Sequence, residues 1–533
     1  MRPLPNGAMA PPLSGNRGIV EYLERALRNA KQFPERIALQ TSDGESETYG
    51  AYWRASEGIA SLIRQSGYPV KKPVMVYGHK SPRMIECFHA CLKTGHPYVP
   101  VDCHSVPPER VANIAGQIGD PLLLAVEDLP DAGISAQTVD REQLEAAVAA
   151  APDLDSAFES VDRTAWVSGD DLAYILFTSG STGAPKGVCV TASCIDGFCR
   201  WALTLGDAER EGAVFLNQAP FSFDLSVYEQ AMSFWAGGTL YSLTKESQDS
   251  FRLQMEALAA SRARIWVSTP SFAEMCLVEP SFDEQMMPDV RLFLFCGETL
   301  PNGTAARLLE RFPHAQVVNS YGPTESTVAV TACTVTGQMA ASSDPLPVGR
   351  PRKGTRIDIV ADNGEPVPAG ECGEIVIAGD TVARGYLGRP DLTAKAFGTD
   401  MVDGKPVRTY RTGDEGWLDA SGMLHYRGRL DLQVKMNGFR IELGEIEENL
   451  RRLPCIKAAC VVPSVKDGQI RYLVAHVVWE GERTESDFRQ GLGIKEALKD
   501  VLPHYMIPRK VVFHDALPMT PNGKCDRKAL ARL

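Results

Sequence analysis

Short apolar runs alternate with segments of helical periodicity along most of this chain. Apolar runs at 37–40, 73–77, 98–101 and 122–126 predict strands, and apolar residues at helical spacing predict helices at 19–27 and 82–93. The alternation resumes after residue 213, with strands predicted at 214–217, 239–242, 264–267, 291–295 and 316–319. Alternating strands and helices are typical of parallel sheets. The number of strands favours an α/β fold in which two related sheets pack together.

The pattern changes at three places. Residues 130–169 are polar and acidic, which favours an irregular connection, and beyond Pro345 short strands and hairpins predominate. The last hundred residues have their own pattern, with helices predicted at 442–453 and 488–501 and strands at 458–462 and 472–478. We therefore predict a disordered leader at 1–17, a large N-terminal domain at 18–430 with a β-rich part at about 345–430, and a small mobile α+β lid domain at 431–533.

The stretch 171–190 joins an apolar strand to a polar loop. The run at 172–177 predicts a strand buried on both faces. The following glycines let backbone N–H groups turn towards an anion, and the loop adds four hydroxyls and a lysine. We predict a loop that binds the phosphates of a nucleoside triphosphate, formed by Thr178, Ser179, Gly180, Ser181, Thr182, Gly183 and Lys186, with Gly187 at its end.

Two better-known motifs do not fit this loop. The P-loop needs glycine directly before its lysine and a hydroxyl directly after it, but Pro185 and Gly187 occupy those positions. The nucleophile elbow needs glycine where Ser179 stands. The alternative interpretation is a polar surface loop, which the buried strand and the lysine disfavour.

Polar groups stand out at three further places. In the turn at 319–325, Tyr321 offers a flat face for adenine, Thr324 a hydroxyl for a phosphate and Glu325 a hard oxygen ligand for Mg²⁺. The two carboxylate oxygens of Asp414 suit two ribose hydroxyls. Lys524 stands on a tight turn near the end of the chain. Each feature alone is an ordinary turn or solvated charge, and only their combination indicates one site.

Composition narrows the functional class. The 533 residues are 44% hydrophobic and 23% charged, which is ordinary for a globular enzyme. The net charge is -12, and the chain contains no strongly basic block. Both features disfavour nucleic acid or an anionic membrane as a partner. No apolar run approaches the roughly 20 residues that span a bilayer. The thirteen cysteines lack metal-ligand spacing, so we expect reduced thiols in a cytoplasmic protein.

With these motifs in this order, the chain resembles the acyl- and aminoacyl-adenylating superfamily. That superfamily includes acyl-CoA synthetases, luciferases and the adenylation domains of nonribosomal peptide synthetases. Within it, the sequence is most similar to ligases that load D-alanine onto a carrier protein. The matching stretches are NQAPFSFDLSV at 217–227, STPSFAEMC at 268–276, FCGE at 295–298 and LPHYMIP at 502–508.

The resemblance implies two half-reactions. An amino acid carboxylate attacks the α-phosphate of Mg·ATP, and the phosphopantetheine thiol of a carrier protein then captures the aminoacyl-adenylate, as in lipoteichoic acid D-alanylation. Lys524 would be catalytic, Glu325 would bind Mg²⁺, Asp431 would be the hinge of the lid, and the thiol would pass residues 435–440. The other ATP-binding residues implied are Gly297, Glu298, Asn319, Ser320, Tyr321, Gly322, Pro323, Thr324, Asp414, Tyr426, Arg427, Gly428, Arg429 and Lys524.

The resemblance also implies a substrate site. Asp224 would bind the α-ammonium group, Lys524 the carboxylate, and Cys276 and Val328 would line a pocket for the methyl group. Asp224 stands among apolar residues, where an unpaired carboxylate is costly. An alternative role for Asp224 is to cap the helix that begins near Leu225. Core packing is the alternative role for Cys276.

Three other functions stay open at the level of sequence. An adenylation enzyme for another small amino acid, such as L-alanine, glycine or serine, would use the same residues. A fatty or aryl acyl-CoA synthetase would not need Asp224, because its substrates lack an amine. An inactive nucleotide-binding scaffold would not need Thr178, Glu325, Asp414 and Lys524 together.

Overall fold

The computed structural model describes residues 21–179, 185–430, 433–466, 469–481, 486–519 and 525–532, and the backbone of Arg2–Pro3. Most of the predicted leader therefore lies outside the described residues. The same holds for six predicted site residues, namely Gly180, Ser181, Thr182, Gly183, Asp431 and Lys524.

The strands fall into five sheets. In chain order they are β1 (Arg2–Pro3), β2 (Ile37–Thr41), β3 (Ser46–Thr48), β4 (Val74–Gly78), β5 (Tyr98–Asp102), β6 (Leu122–Ala125), β7 (Gln137–Val139), β8 (Leu172–Thr178), β9 (Lys186–Thr191), β10 (Val214–Asn217), β11 (Thr239–Ser242), β12 (Ile265–Ser268), β13 (Leu292–Phe295), β14 (Gln316–Tyr321), β15 (Thr331–Thr334), β16 (Arg350–Pro351), β17 (Thr355–Val360), β18 (Gly373–Gly379), β19 (Phe397–Val402), β20 (Lys405–Leu418), β21 (Leu424–Arg429), β22 (Gln433–Met436), β23 (Phe439–Glu442), β24 (Ile456–Lys466), β25 (Gln469–Trp479) and β26 (Lys510–His514).

The helices lie between and around these sheets. They are α1 (Glu21–Gln32), α2 (Tyr49–Gln65), α3 (Pro82–Lys93), α4 (Pro108–Ile118), α5 (Arg141–Ala149), α6 (Leu154–Glu159), α7 (Ala192–Ala202), α8 (Leu225–Ala236), α9 (Lys245–Asp249), α10 (Phe251–Ala260), α11 (Pro270–Cys276), α12 (Asn302–Arg311), α13 (Gly337–Ala341), α14 (Pro390–Ala396), α15 (Leu443–Arg451), α16 (Asp487–Lys499) and α17 (Arg527–Leu530).

Two largely parallel sheets form the main layers. One has the order β7-β6-β4-β5-β8-β9, with only β9 antiparallel to its neighbour. The other has the order β16-β15-β14-β13-β12-β10-β11-β2-β3 and is parallel from β14 to β2. Helices α3 and α8 bury almost all of their residues in a core shared with both sheets. Helices buried on nearly all sides are typical of such a central layer.

A third sheet and two lid sheets complete the fold. The third has the order β1-β19-β20-β18-β17, with β21 paired to β20, and it is antiparallel. Beyond it, β22 and β23 form a hairpin, and the order β24-β25-β26 forms a sheet packed by α15 and α16 around its own core. The predicted α/β class, the two packed sheets and the small α+β part are therefore confirmed.

The structure corrects two local predictions. The stretch 130–169, predicted to be an irregular connection, contains β7, α5 and α6. Helix α5 buries only Leu144, so its sequence carries almost no apolar periodicity, and Asp140 begins it with a capping box to Gln143. Gly187, predicted to lie in the phosphate loop, is a residue of β9 and pairs with Phe177, so the loop connects two strands of a hairpin.

Candidate active site

Most of the predicted site residues that the structure describes lie where several strands end. One cleft lies at the carboxyl ends of strands β8, β10, β12, β13 and β14. It is bordered by β20, β21 and the β22–β23 hairpin. Ligands of open α/β sheets bind at such carboxyl ends, because the loops that follow the strands carry the polar groups. Three neighbouring cavities occupy this cleft.

The first cavity has a volume of about 310 Å³. Tyr321 and Tyr426 lie on it with ring centroids 5.9 Å apart. Beside them, Asp414 accepts a hydrogen bond of 2.6 Å from the Tyr321 hydroxyl and one of 2.9 Å from Arg429 Nη1. The structure thus places ten predicted residues around one cavity, namely Gly297, Glu298, Asn319, Ser320, Tyr321, Gly322, Tyr426, Arg427, Gly428 and Arg429.

The backbone beside this cavity is tightly constrained. A Cβ atom on Gly322 would lie 2.6 Å from the Cα atom of Ala329, so only glycine fits there. Thr327 and Val328 follow with φ values of 65° and 66°, a left-handed conformation that costs energy for β-branched residues. Such strain tends to gather at functional sites, where the surroundings hold it in place.

The second cavity is small, about 40 Å³, and Asp224, Thr324, Val328 and Cys296 lie on it. The carboxylate of Asp224 does not cap α8 within the described chain; it accepts a hydrogen bond of 2.7 Å from Thr324 Oγ1. Burial raises the pKa of Asp224 to about 6, although the hydrogen bond from Thr324 lowers it. Asp224 is therefore a buried acid that ionises close to neutral pH.

Cys276 lies at the end of α11 in a separate core, between β12 and α12. Its sulfur accepts a hydrogen bond of 3.5 Å from Gln254 Nε2. Cys296 and Val328 border the small cavity, with 3.6 Å between the Cys296 sulfur and the Val328 carbonyl oxygen, and Cys276 is not among the residues that line it. The assignment of Cys276 to the methyl pocket stays a prediction.

The described ends of the phosphate loop reach the same cleft. Thr178 pairs with Lys186 across the hairpin of β8 and β9. Ser179 Oγ donates a hydrogen bond of 2.6 Å to the carbonyl oxygen of Arg440, and Lys186 Nζ lies 3.8 Å from Glu442. Burial lowers the pKa of Lys186, and the neighbouring Arg440 lowers it further. The buried Thr178 hydroxyl has no partner among the described residues, which suits a donor for a phosphate oxygen.

Glu325 is fully buried and ionised. Its Oε1 atom accepts a hydrogen bond of 2.7 Å from the Tyr386 hydroxyl, and its Oε2 atom one of 2.6 Å from Arg440 Nη1. Burial by itself would raise the pKa of Glu325, but Arg440 and Lys186 together bring it to about 2. The described residues hold no group of three or more potential metal ligands, so a metal here would depend mainly on oxygens of a bound ligand.

The β22–β23 hairpin reaches far into the cleft. At its tip, the Gly438 N–H donates a hydrogen bond of 2.8 Å to Glu298 Oε1. The tip is also closely packed, because a Cβ atom on Gly438 would lie 2.3 Å from Thr269 Cγ2. Asn437 and Gly438 both have positive φ values. Asn-Gly with two positive φ values is typical of a tight hairpin turn, which is the local sequence signal for this element.

A third cavity of about 60 Å³ continues from the second. Both cavities contact Phe223, Asp224, Thr324 and Arg440. The Phe439 ring stacks on Tyr505 with centroids 3.7 Å apart and lines the third cavity. Phe223 and Tyr505 stand in stretches quoted for the resemblance, and Phe439 stands on the predicted route of the thiol. None of the three was predicted to line a cavity, because an aromatic residue alone does not distinguish a cavity wall from core.

Buried ion pairs join the lid part to the large part. Besides Arg440 and Glu325, Arg110 Nη1 of α4 lies 2.6 Å from Glu445 Oε1 of α15. The side chains of Arg110 and Glu445 are 6% and 1% exposed, so this contact is as enclosed as a core contact. Pro323, Asp414 and Arg429 also border the second cavity, at the same cleft as the other predicted nucleotide residues that the structure describes.

Comparison with known proteins matches this geometry. The chain is 43% identical over 516 residues to the D-alanine--D-alanyl carrier protein ligase of Bacillus cereus strain AH187, which covers 96% of this chain and 99% of the relative. It is 44% identical over 517 residues to the ligase of the same name from Bacillus mycoides strain KBAB4, with the same coverage.

Solved structures agree in fold. PA1221, an NRPS protein containing adenylation and PCP domains, is 27% identical with a TM-score of 0.80, covering 96% of this chain and 84% of that chain. The Vibrio cholerae adenylation domain AlmE in complex with glycyl-adenosine-5'-phosphate is 23% identical with a TM-score of 0.75, covering 98% of this chain and 99% of that one. No helix in the described ranges is long and apolar enough to cross a membrane.

Family models match both parts of the chain. The model of the AMP-binding enzyme matches residues 27–387, and that of the AMP-binding enzyme C-terminal domain matches residues 445–524. The first match covers more than half of the chain and contains Thr178, Asp224 and Glu325. The chain therefore belongs to the family of AMP-binding enzymes.

Proposed function

We propose that the chain is an ATP-dependent, AMP-forming ligase that activates D-alanine and transfers it to the phosphopantetheine thiol of a carrier protein. The observation that carries this proposal is the buried carboxylate of Asp224 on a small cavity that adjoins the first cavity. A buried carboxylate is costly unless it meets a cation, and the α-ammonium group of an amino acid is such a cation. The names of the relatives point to the same substrate.

The size and charge of the second cavity favour a small amino acid over the alternatives. The second cavity, at about 40 Å³, is smaller than the two cavities beside it, which favours a short side chain next to Asp224. An acyl-CoA synthetase would also leave Asp224 without a cationic ligand. Thr324, which donates to Asp224, stands between the substrate and the nucleotide, where its hydroxyl can turn to an α-phosphate oxygen.

The first cavity is the proposed nucleoside site. Tyr321 and Tyr426 offer aromatic faces for adenine. Asp414 borders the adjoining second cavity, and its two oxygens, which accept from Tyr321 and Arg429, each have a further lone pair for a ribose hydroxyl. Thr178, Ser179 and Lys186 would contact the β- and γ-phosphates. Glu325 would hold Mg²⁺ together with these phosphates, and the bound metal ion would neutralise part of their charge.

The proposed chemistry takes place in two steps. A substrate carboxylate oxygen forms a bond to the α-phosphorus while the bond to pyrophosphate breaks. Lys524, which we propose as the catalytic lysine, would stabilise the charge that develops between carboxylate and phosphate. The carrier thiol then bonds to the carbonyl carbon, loses its proton, and AMP leaves.

The lid orientation in the structure suits the second step. The β22–β23 hairpin lies in the cleft, and the third cavity runs from Asp224 past Phe439 to Tyr505. The narrow third cavity, with its partly aromatic wall, would suit the slender phosphopantetheine group that carries the thiol. We also propose a cytoplasmic location, in keeping with thirteen free cysteines.

A pyrophosphate exchange assay tests the proposal. The purified chain is assayed with D-alanine, L-alanine, glycine, D-serine and benzoate, and then for transfer of the activated amino acid to a phosphopantetheinylated carrier protein. We expect D-alanine to give the highest kcat/KM and benzoate to give none. Exchange with benzoate, or a clear preference for another amino acid, would overturn the D-alanine assignment, and no exchange with any substrate would overturn the ligase itself.

A further inference from the structure

Arg440 holds the carboxylate to which the proposed function assigns a metal. Its guanidinium lies 2.6 Å from Glu325 Oε2, and the Tyr386 hydroxyl lies 2.7 Å from Glu325 Oε1. The Glu325 side chain is 0% exposed and that of Arg440 is 13% exposed. Both carboxylate oxygens are therefore engaged, and the space next to Oε2 already contains a positive charge.

Mg²⁺ needs the same space. It binds carboxylate oxygens at about 2.0–2.1 Å in a nearly octahedral shell that retains waters. A guanidinium at hydrogen-bond distance from the same oxygen blocks part of that shell and repels a divalent cation at close range, in a setting with little water to screen the charges. Close approach of the metal and of Arg440 to the same buried carboxylate is therefore unfavourable.

We propose that Arg440 and the divalent metal ion compete for Glu325, so that the lid orientation seen here and the metal-bound state exclude each other. This inference rests on the proposed function, because the metal is needed there only with ATP in the first half-reaction. Glu325 then keeps a cationic partner in both half-reactions. It binds the metal while ATP is present and the guanidinium after pyrophosphate has left.

Contacts around Arg440 tie this exchange to the whole hairpin. Ser179 Oγ donates to the Arg440 carbonyl oxygen at 2.6 Å, and Lys186 lies 3.8 Å from Glu442 on the same strand. Ser179 and Lys186 belong to the loop that would contact the phosphates of ATP. The hairpin thus occupies partners of both the metal and the phosphates, and its departure frees all of them together.

The competition explains why a buried carboxylate is tolerated at this position. Removal of one partner from a buried ion pair leaves an uncompensated charge, which is strongly destabilising. If the metal left Glu325 after the first half-reaction and Arg440 did not replace it, the buried carboxylate would keep the weaker attraction of Lys186 but lose its hydrogen-bonded cation. Arg440 removes that penalty and thereby favours the lid orientation needed by the thiol.

Binding of an uncleavable ATP analogue, α,β-methylene-ATP, tests the competition without catalysis. Its Kd is measured with and without Mg²⁺ for wild type, Arg440→Met and Arg451→Met. Arg451 is a matched control, because it lies on α15 and pairs with Glu448 on the exposed surface of the same lid part. We expect the tightening by Mg²⁺ to grow by about 5- to 150-fold in Arg440→Met, the usual range for coupling between two sites, and to stay unchanged in Arg451→Met.

Hydrogen exchange provides a second readout in the unmodified protein. With the analogue bound, addition of Mg²⁺ should speed exchange of the amides at 433–442, because the hairpin leaves the cleft. In Glu325→Gln the same addition should have no effect on these amides. The wild-type measurement remains decisive even if a variant fails to fold.

Two results would overturn the competition. One is an equal effect of Mg²⁺ on analogue binding in wild type and a folded Arg440→Met variant. The other is unchanged exchange at 433–442 when Mg²⁺ is added to the analogue-bound wild type. Neither measurement uses an amino acid, so failure here is separate from failure of the D-alanine assignment.

Discussion

At the scale of single residues, the proposed role of Asp224 predicts that substrate binding depends on pH. Burial raises the pKa of this carboxyl to about 6, and only its ionised form attracts an ammonium group. Protonation below pH 6 should therefore lower kcat/KM for D-alanine, by up to about 10-fold for each pH unit. The measurement is kcat/KM for D-alanine in pyrophosphate exchange between pH 5 and 8 with saturating ATP.

The Asp224→Asn variant checks the origin of this pH dependence. It removes the charge but keeps an oxygen that can accept the Thr324 hydroxyl. We expect kcat/KM for D-alanine to fall about 10- to 150-fold at pH 7.5, as loss of a charged hydrogen bond predicts, and the acidic decline to disappear. An acidic decline that persists in the variant would assign it to another group.

Two cysteines compete for the role of setting handedness. With the ammonium on Asp224 and the carboxylate towards the nucleotide, the enantiomers of alanine differ only in which direction holds the methyl group. The sequence resemblance assigns the contact to Cys276, whereas Cys296 is the cysteine on the small cavity. Discrimination by one methyl group is worth about 10- to 200-fold.

Cys276→Ala and Cys296→Ala therefore form a matched pair of variants. We expect Cys276→Ala to lower the D-to-L ratio of kcat/KM by relieving a clash with the methyl group of L-alanine. If only Cys296→Ala lowers the D-to-L ratio of kcat/KM, the selective contact is made by Cys296 on the wall of the second cavity. A wild type that prefers L-alanine would contradict the D-alanine assignment as well.

The single residues most accessible from sequence were those with unusual chemistry in short motifs. Tyr321, Glu325 and Asp414 stand out because a turn or an apolar context makes their polar groups conspicuous. In the structure Tyr321 and Asp414 border the cleft, and Glu325 lies buried behind Arg440, which lines it. Arg110 and Tyr505 carried no such signal. Their roles depend on contacts across more than 300 residues of sequence, which no local pattern encodes.

At the scale of secondary-structure elements, α4 and α15 hold the lid part through one ion pair. Arg110→Met leaves the buried Glu445 carboxylate without this partner, a change that costs about 3–5 kcal/mol for a buried pair. Loss of the pair therefore destabilises the lid orientation seen here, in which the two residues meet. We therefore expect carrier loading to slow at least about 10-fold while pyrophosphate exchange stays within about 3-fold of wild type.

Arg389→Met serves as the control for Arg110→Met, because Arg389 pairs with Asp391 on the exposed surface. It should leave both half-reactions unchanged. The two half-reactions are measured separately, by pyrophosphate exchange and by transfer from preformed aminoacyl-adenylate to the carrier. Equal slowing of both by Arg110→Met would indicate a general loss of stability, which a thermal melt would reveal.

Elements were predictable from sequence where packing follows periodicity. The strands at 74–78 and 214–217 lie in buried sheets, and their apolar runs predicted them to within one residue. Helix α5 escaped prediction because only Leu144 is buried, so capping and not periodicity defines it. The hairpin of β8 and β9 was not predicted, because Gly187 is a residue type typical of loops. In the structure Gly187 lies in β9, where a Cβ atom would lie 2.9 Å from the side chain of Ile175.

At the scale of the whole molecule, the two proposed half-reactions would need different groups at one centre. Lys524→Ala should reduce pyrophosphate exchange about 100-fold or more, as for loss of one transition-state donor, while nucleotide binding stays within a few-fold of wild type. Transfer from preformed adenylate to the carrier should change little, since the hairpin contacts and not Lys524 would serve that step. Exchange close to the wild-type rate would remove Lys524 from the mechanism.

The hinge gives the final prediction. Lid residues 433–442 occupy the cleft in this orientation, so Lys524 and the hairpin must alternate there if both take part. Rotation about Asp431 would exchange them, and it requires a free change of φ and ψ at that residue. Proline fixes φ near −65°, so Asp431→Pro should trap one orientation. We expect complete carrier loading from ATP and D-alanine to fall at least about 10-fold, further than the better tolerated of the two half-reactions measured alone.

Asp431→Asn, which removes the charge but keeps the backbone free, should load the carrier at nearly the wild-type rate. Equal losses in both half-reactions, or a similar loss in Asp431→Asn, would place the hinge elsewhere.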